Sequence, residues 1–582
     1  MLFPRVVASD GCRARTQILV IVDLGCKSPR IVTTLAVVVR DVDTAEPDTA
    51  RPWLRRLAIT ALFILLTGVM TWPMARVLAS RSFHHFDVYF NIWRLAWVQH
   101  ALATSPANLF NANQFHPERN ILAYSDAMLV EALIAAPLFA AGLRPVLIHN
   151  VMLLGAMAAS GVAMFTLARY LSRSTTGAII AGVVFAFAPY RFAHLMHLEL
   201  QWAMWIPWAF WAMQRTLDTG GLKFGLLTGA FIALQIGSSI YYGIFLVILL
   251  PLAGAVQLVR VAPSQRMKTI GAFAAGAAIA VSVAVLYSRP YRDARARVGV
   301  RAVSEVVPYS ATLSDYRLVS EGNFVYGSKH AAQSELALFP GYVAAGLAVV
   351  GLVLARPSAV VFSYVIGMLL AFDLSLGLNG IVYPLLYERV DVFKGLRAPA
   401  RASIFVLMFL GVLAARGCAV LLNALPALAR IAVFGAIGTA LLLEYWVVPV
   451  LLWPYPERPP LYEFLARQPD GIVAEFPISL EHDARYAYMS IFHWKRLVNG
   501  YSGYHPLSYM ERIRRLLRLP DPSAVAQLRA DGVRYVVIHE GSYRTTAEAG
   551  DIMAVLERER MKPIARLNDG YNLATVFELT SP

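Results

Sequence analysis

Arg55-Arg56-Leu57-Ala58-Ile59-Thr60-Ala61-Leu62-Phe63-Ile64-Leu65-Leu66 opens an apolar run that continues to about Leu78. At about 1.5 Å per helical residue, such a run crosses the roughly 30 Å of hydrocarbon in a bilayer. Arg51, Arg55 and Arg56 precede it, which puts its N-terminal end on the cytoplasmic side. Comparable runs follow at 146–169, 175–191, 200–216, 222–237, 240–259, 268–288, 335–355, 358–376, 401–421 and 428–448. Gly237-Ser238-Ser239 breaks what would otherwise be one overlong apolar stretch. The composition agrees. Hydrophobic residues make up 58% of the 582 and charged residues only 15%, against roughly 45–50% and 25% in a soluble domain. A soluble enzyme, a disordered chain and a disulfide scaffold are all excluded. The net charge of +15 fits cytoplasmic loops rich in Lys and Arg, and calls for no nucleic acid.

Two further segments are amphipathic and are read as juxtamembrane helices. Asp87–Ala103 interleaves Phe90, Trp93 and Trp97 with Asn91, Arg94 and Gln99, the pattern of an interfacial helix. Ala127–Leu143 is short and carries Glu131. Leaving it out of the count keeps Arg169/Arg173, Arg260/Arg266 and Arg356 on the cytoplasmic side. The expectation is therefore a polytopic α-helical membrane protein with about eleven transmembrane helices, extending over 54–453. Residues 454–582 read as a small α/β domain outside the membrane on the extracytoplasmic face. Its strands are 471–477 and 533–539, and its helices are 461–468, 509–517 and 523–530. Residues 1–53 read as a disordered or mis-called extension. Cys12, Cys26 and Cys418 have no zinc or disulfide spacing.

Chemistry concentrates at the outer ends of the spans. In His84-His85-Phe86-Asp87 the carboxylate is a candidate general base, and the same residue type favours a helix N-cap. After the third span, His194 and His197 stand three apart, on one face of a helix, with Glu199 close by. With Asp87 they form a candidate polar site at which a divalent metal is conceivable. Glu131 is a spare carboxylate on an apolar face, costly unless paired or wet. Arg289 and Arg292 begin the external loop 289–334. Lys394, Arg397 and Arg401 lie where a second external loop enters a span. Arg suits bidentate phosphate contacts, and these cations stand at headgroup depth. Asn499–Pro506 is aromatic and polar, suited to stacking on sugars or to packing against the membrane part.

With these residues in place, the chain resembles the GT-C superfamily of membrane glycosyltransferases, which includes aminoarabinose and protein O-mannosyl transferases. The resemblance rests on a first span followed by an acidic external loop (Asp87), then juxtamembrane helices, a polar cluster after the third span, and a terminal soluble domain. Where many members carry a closely spaced pair of acids in that loop, as D-x-D, E-x-D or D-D, this chain has only Asp87 in His84–Tyr89, with Glu118 and Asp126 farther along as spare carboxylates. The resemblance implies an inverting glycosyl transfer on the extracytoplasmic face of a cell (plasma or inner) membrane. The donor would be a sugar on a polyprenyl phosphate, and the acceptor an envelope glycan, lipid or protein. Asp87, His197 and Glu199 would be catalytic or orienting. Arg397, Arg401, Lys394, Arg289, Arg292, Glu131 and His194 would bind substrate. A transporter of lipid-linked sugars, with Asp373 and Glu444 as its intramembrane acids, and a non-catalytic envelope assembly protein are the rival readings.

Overall fold

The computed structural model describes residues 52–579 apart from 333, 355 and 448, together with Ile18–Leu19 and Ala36–Val37, which pair as a short ladder. The expectation for 1–53 lies, but for those residues and the first helical turn at Pro52, outside the described residues.

Among the described residues, seven helices are long and apolar enough to cross a membrane: Pro52–Met70, Pro145–Ser172, Thr175–Ala193, Ile240–Leu258, Pro263–Val298, Pro399–Asn423 and Ala427–Glu444. The chain is a multi-pass membrane protein. The other four expected spans fall on shorter helices, Trp205–Thr219, Leu222–Ser238, Tyr342–Leu354 and Ala359–Ser375. Among the described residues, helix length by itself thus carries seven of the eleven expected spans.

Small residues set the packing. The helices 222–238 and 263–298 approach so closely that a Cβ on Gly229 would lie 1.9 Å from the carbonyl oxygen of Gly276, the backbone contact that glycine permits inside membranes. Pro263–Val298 has 36 residues and is about 54 Å long, far more than a bilayer requires. Arg289 and Arg292 therefore belong to a helix end, not to a loop. Arg295 and Arg297 form its last turn, where cations offset the negative end of the helix dipole. The break at Gly237-Ser238-Ser239 is real: the next helix starts at Ile240, whose amide donates to Asp126 Oδ1 at 2.7 Å.

Leu129–Ala140 has 12 residues and spans only about 18 Å. Phe86–Thr104 is buried on nearly every side, from Val88 to Val98, and does not lie half in water as an interfacial helix would. It is sandwiched between the bundle and the chain that follows 452, packing on Leu480–Met489. That last part forms a four-stranded sheet. Ile472–Phe476 runs parallel to Val533–His539, which pairs antiparallel with Leu573–Leu579, and Met561–Asn568 closes the edge. The final hairpin is absent from the sequence reading. Half the residues of its strand 561–568 are exposed and it carries charge, so it lacks the buried apolar run that marks the two parallel strands. A two-stranded clip joins Arg81–Phe83 to Leu452–Pro454, and Tyr455 donates to the carbonyl of Phe83 at 2.5 Å.

Candidate active site

A cavity of about 1610 Å³ opens beside the first turn of the Phe86–Thr104 helix. Asp87, His197, Glu199, Arg292, Arg397 and Arg401 all line it, beside Glu335 and Tyr501. One wall is aliphatic, built from Ile240, Ile244, Val247 and Ile248 of one helix and Ala284 of the next.

Asp87 lies in the first turn of the 86–104 helix. The N-cap is His85, whose backbone is extended and whose Nδ1 accepts from the Asp87 amide at 3.1 Å. This corrects the expectation that Asp87 caps the helix, and it leaves the Asp87 carboxylate for other partners. Oδ1 accepts from the Tyr501 hydroxyl at 2.6 Å. Oδ2 lies 3.3 Å from His85 Nδ1 and 3.5 Å from His197 Nδ1.

His194 and His197 do not share a helical face. The helix Pro189–Ala193 stops before His194, and the short helix Leu198–Gln201 starts after His197. Buried Arg191 holds the turn, donating to the carbonyls of Leu200 at 2.9 Å and Gln201 at 2.8 Å. His194 is fully buried off the cavity, with Nδ1 2.9 Å from the Tyr190 carbonyl and Nε2 3.1 Å from Glu335 Oε2. His197 faces the cavity, 3.9 Å from Glu335 Oε1 through Nε2 and 3.8 Å from Glu199 Oε1 through Nδ1. Burial pulls the His197 imidazole below its ordinary range, although Asp87, Glu199 and Glu335 pull the other way.

Two arginines hold the acids of the inner wall. Arg94 donates to Glu199 Oε2 at 3.0 Å and to the Asp126 carbonyl at 2.7 Å, with its guanidinium over the Phe90 ring. Burial would raise the Glu199 carboxyl, but Arg94, His197 and Arg401 outweigh it and hold it low. Arg401 grips Glu335 through Nε at 3.1 and 3.2 Å and through Nη2, stacked on Tyr241. Burial is again outweighed, and Glu335 is kept well below the carboxylate range. Asp126, buried and near Glu199, is pushed up to about 6.

The rim is different. Arg295 and Arg301 are partly committed, to Asp391 at 3.8 Å and Glu305 at 2.7 Å. Arg292 makes no hydrogen bond or ion pair among the described residues. The guanidinium of Arg397 makes none either and lies over the Tyr309 ring at 5.0 Å. Arg289 is exposed and off the cavity. Lys394 is also off it, 3.3 Å from Asp391. Glu131 is fully buried and off the cavity, with neither carboxylate oxygen hydrogen-bonded.

A divalent metal does not fit. Among the described residues no group of three or more His, Cys, Asp and Glu side chains converges for one. Asp87 and Glu199 approach one nitrogen of His197 and Glu335 the other, while arginines occupy Glu199 and Glu335.

Sequence reasoning missed Arg94, Glu335 and Tyr501. Arg94 carried a signal, the lone cation of an aromatic stretch. Glu335 was counted inside a span, but the helix begins only at Tyr342, after Pro340 and Gly341. The acids of the transporter reading have other work. Asp373 accepts from the amides of Ile381 and Val382 at 2.7 and 2.8 Å. Glu444 accepts from those of Tyr342 and Val343 at 2.7 and 3.2 Å. Both satisfy backbone groups at helix starts.

No family model and no curated protein matches the sequence. Solved structures do. The arabinofuranosyltransferase AftD from Mycobacteria superposes with a TM-score of 0.63 at 13% identity, over 92% of this chain and 40% of that one. A variant of the same protein gives 0.60 at 14%, over 92% and 42%. The oligosaccharyltransferase AglB from Archaeoglobus fulgidus, in complex with an inhibitory peptide and a dolichol-phosphate, gives 0.49 at 12%, over 90% and 74%. This chain spans about two-fifths of AftD's length. At such identity the likeness is one of fold: over nine-tenths of the chain the fold is that of a part of the arabinofuranosyltransferase AftD.

Proposed function

We propose that the protein is a membrane glycosyltransferase that moves a sugar from a polyprenyl-phosphate donor to an envelope acceptor. The observation that carries the reading is one cavity offering a carboxylate, unpaired arginines and an aliphatic wall together. Asp87 would act as the base on the acceptor hydroxyl. The acceptor oxygen bonds to the anomeric carbon, its proton passes to Asp87 Oδ2, and the bond from that carbon to the phosphate oxygen breaks. The electron pair leaves on the phosphate, where Arg397 and Arg292 stabilise the charge. This single displacement inverts the anomeric centre.

The prenyl chain would lie along the aliphatic wall. A second apolar cavity of about 400 Å³, lined by Leu250, Pro251, Gly254 and Ala274, supports that course, because the same two helices, with Leu222–Ser238, also line it. The fuller topology belongs to the same proposal: eleven spans over 54–453, and an extracytoplasmic α/β domain over 454–582. The positive-inside arrangement of cations supports it.

The test is an envelope glycan and glycolipid mass spectrum of a strain lacking the protein, complemented with wild type or Asp87→Asn at equal expression. The expected result is one sugar-sized mass increment restored by wild type and not by the variant. Full restoration by Asp87→Asn removes Asp87 as the base and the transferase reading with it.

A further inference from the structure

Tyr501 belongs to the sheet-bearing part of the chain, 414 residues from Asp87 in sequence, yet its hydroxyl donates to Asp87 Oδ1 at 2.6 Å. The loop that carries it is built to hold it there. The Tyr501 amide donates to Gln114 Oε1 at 2.9 Å, and the amide of Gly500 donates to the Tyr509 hydroxyl at 3.0 Å. A Cβ at Gly500 would meet the Phe115 ring at 2.4 Å, so the loop can lie this close only with glycine there. Phe86 and Phe90, on the helix that carries Asp87, meet the Tyr501 ring edge-on at 5.5 and 5.3 Å. Ring, backbone and hydroxyl are each fixed by a different partner.

Resting on the transferase reading, we propose that Tyr501 is a positioning residue for the base. Its hydroxyl claims Oδ1 and fixes the rotation of the carboxylate, so that Oδ2 is the oxygen presented to the acceptor hydroxyl. The phenol suits this role because it keeps its proton: burial and the adjacent Asp87 both raise it, so it donates throughout the working range. The other charged and titratable groups around Asp87 are His85, His197, Glu199, Glu335, Arg94, Arg397 and Arg401. Tyr501→Phe leaves all of them in place and keeps the ring packing.

The experiment uses membranes from strains expressing the full chain, whose own lipid-linked sugars and glycans serve as substrates. The rate of the sugar-sized mass increment is followed for wild type, Tyr501→Phe, Tyr501→Leu and Asp87→Asn, with protein level matched and thermal unfolding recorded for each. The expected result is a rate lowered about tenfold in Tyr501→Phe, with thermal unfolding unchanged because the ring packing is kept. A Tyr501→Phe rate equal to wild type, with Tyr501→Leu alone impaired, overturns the proposal, since the ring and not the hydroxyl would then carry the effect. So does a Tyr501→Phe rate that falls only in step with thermal unfolding, which would make Tyr501 merely structural. Activity of Asp87→Asn equal to wild type would instead sink the underlying transferase reading, so the two failures are told apart.

Discussion

Two sets of arginines face the same cavity under opposite conditions. Arg94 and Arg401 are buried on the inner wall, each locked on a carboxylate. Arg292 and Arg397 stand at the rim, and neither guanidinium forms an ion pair among the described residues. The contrast separates structure from chemistry. A desolvated guanidinium already bonded to Glu335 has little left to offer an arriving phosphate. An unpaired one at the mouth has its donors available and loses less solvation when an anion arrives. Arg401 and Arg397 stand four residues apart and read alike in sequence, yet the structure gives them different tasks.

The largest effect should come from breaking the inner pair. Arg401→Met strands the Glu335 carboxylate without its cation, and loss of one partner from a buried pair costs about 3–5 kcal/mol. Thermal unfolding in detergent, or membrane protein level, should fall sharply. A variant as stable as wild type would mean the pair is not structural.

Next comes the rim. Arg397→Ala should lower transfer by about 10²- to 10³-fold, the loss typical when a preorganised donor to developing charge is removed, while unfolding shifts by no more than about 0.5 kcal/mol. If stability and activity fall together, the distinction between rim and wall fails.

A third test moves away from the cavity, to a buried cluster that is paired on both sides. His539 lies between Asp569 Oδ2 at 2.6 Å and Glu475 Oε2 at 2.9 Å. Burial alone would lower its pKa, but the two carboxylates outweigh it and raise it above 6.5. A raised value means its contribution is full below about 6.5 and drains as pH rises through the folded value. Asp483, pushed up to about 8 by burial, acts in the same direction, since its protonated form also favours the fold. Asp569, held near 2, is constant over this window. Hydrogen exchange of strands 472–476 and 533–539 should therefore speed up, beyond its intrinsic pH dependence, between about pH 6 and about pH 9. His539→Gln should flatten that slope. An unchanged slope would show that the cluster does not govern it.

The smallest effect is expected from Arg289→Ala. Arg289 is exposed and off the cavity, so transfer should stay within about twofold of wild type. A larger loss would extend the phosphate site along the helix end.

Asp87 was legible as a candidate because it is the first acid after the first long apolar span, although a helix N-cap was an equally open role for it. The two parallel strands were legible as short apolar runs bounded by turn residues. Glu335 was hidden by apolar neighbours on its C-terminal side, which let a span seem to begin seven residues before its helix does. Tyr501 was legible as part of an aromatic, polar loop, but nothing local connects it with Asp87. His194 and His197 have helical spacing, yet the backbone turns between them because Arg191 draws the carbonyls of Leu200 and Gln201 inward. Long-range hydrogen bonds of this kind leave no periodicity to read.

The clip between 81–83 and 452–454 also fixes the order of events on the ribosome. The strand beside Asp87 waits for its partner until every long apolar helix has been made, and Tyr501 comes later still. At about 5–20 residues per second, the 414 residues between Asp87 and Tyr501 take roughly 20–80 s to synthesise. Throughout that interval the carboxylate sits in a half-built protein without its phenol. A chain interrupted before 501 would insert a bundle into the bilayer and leave the site permanently unfinished.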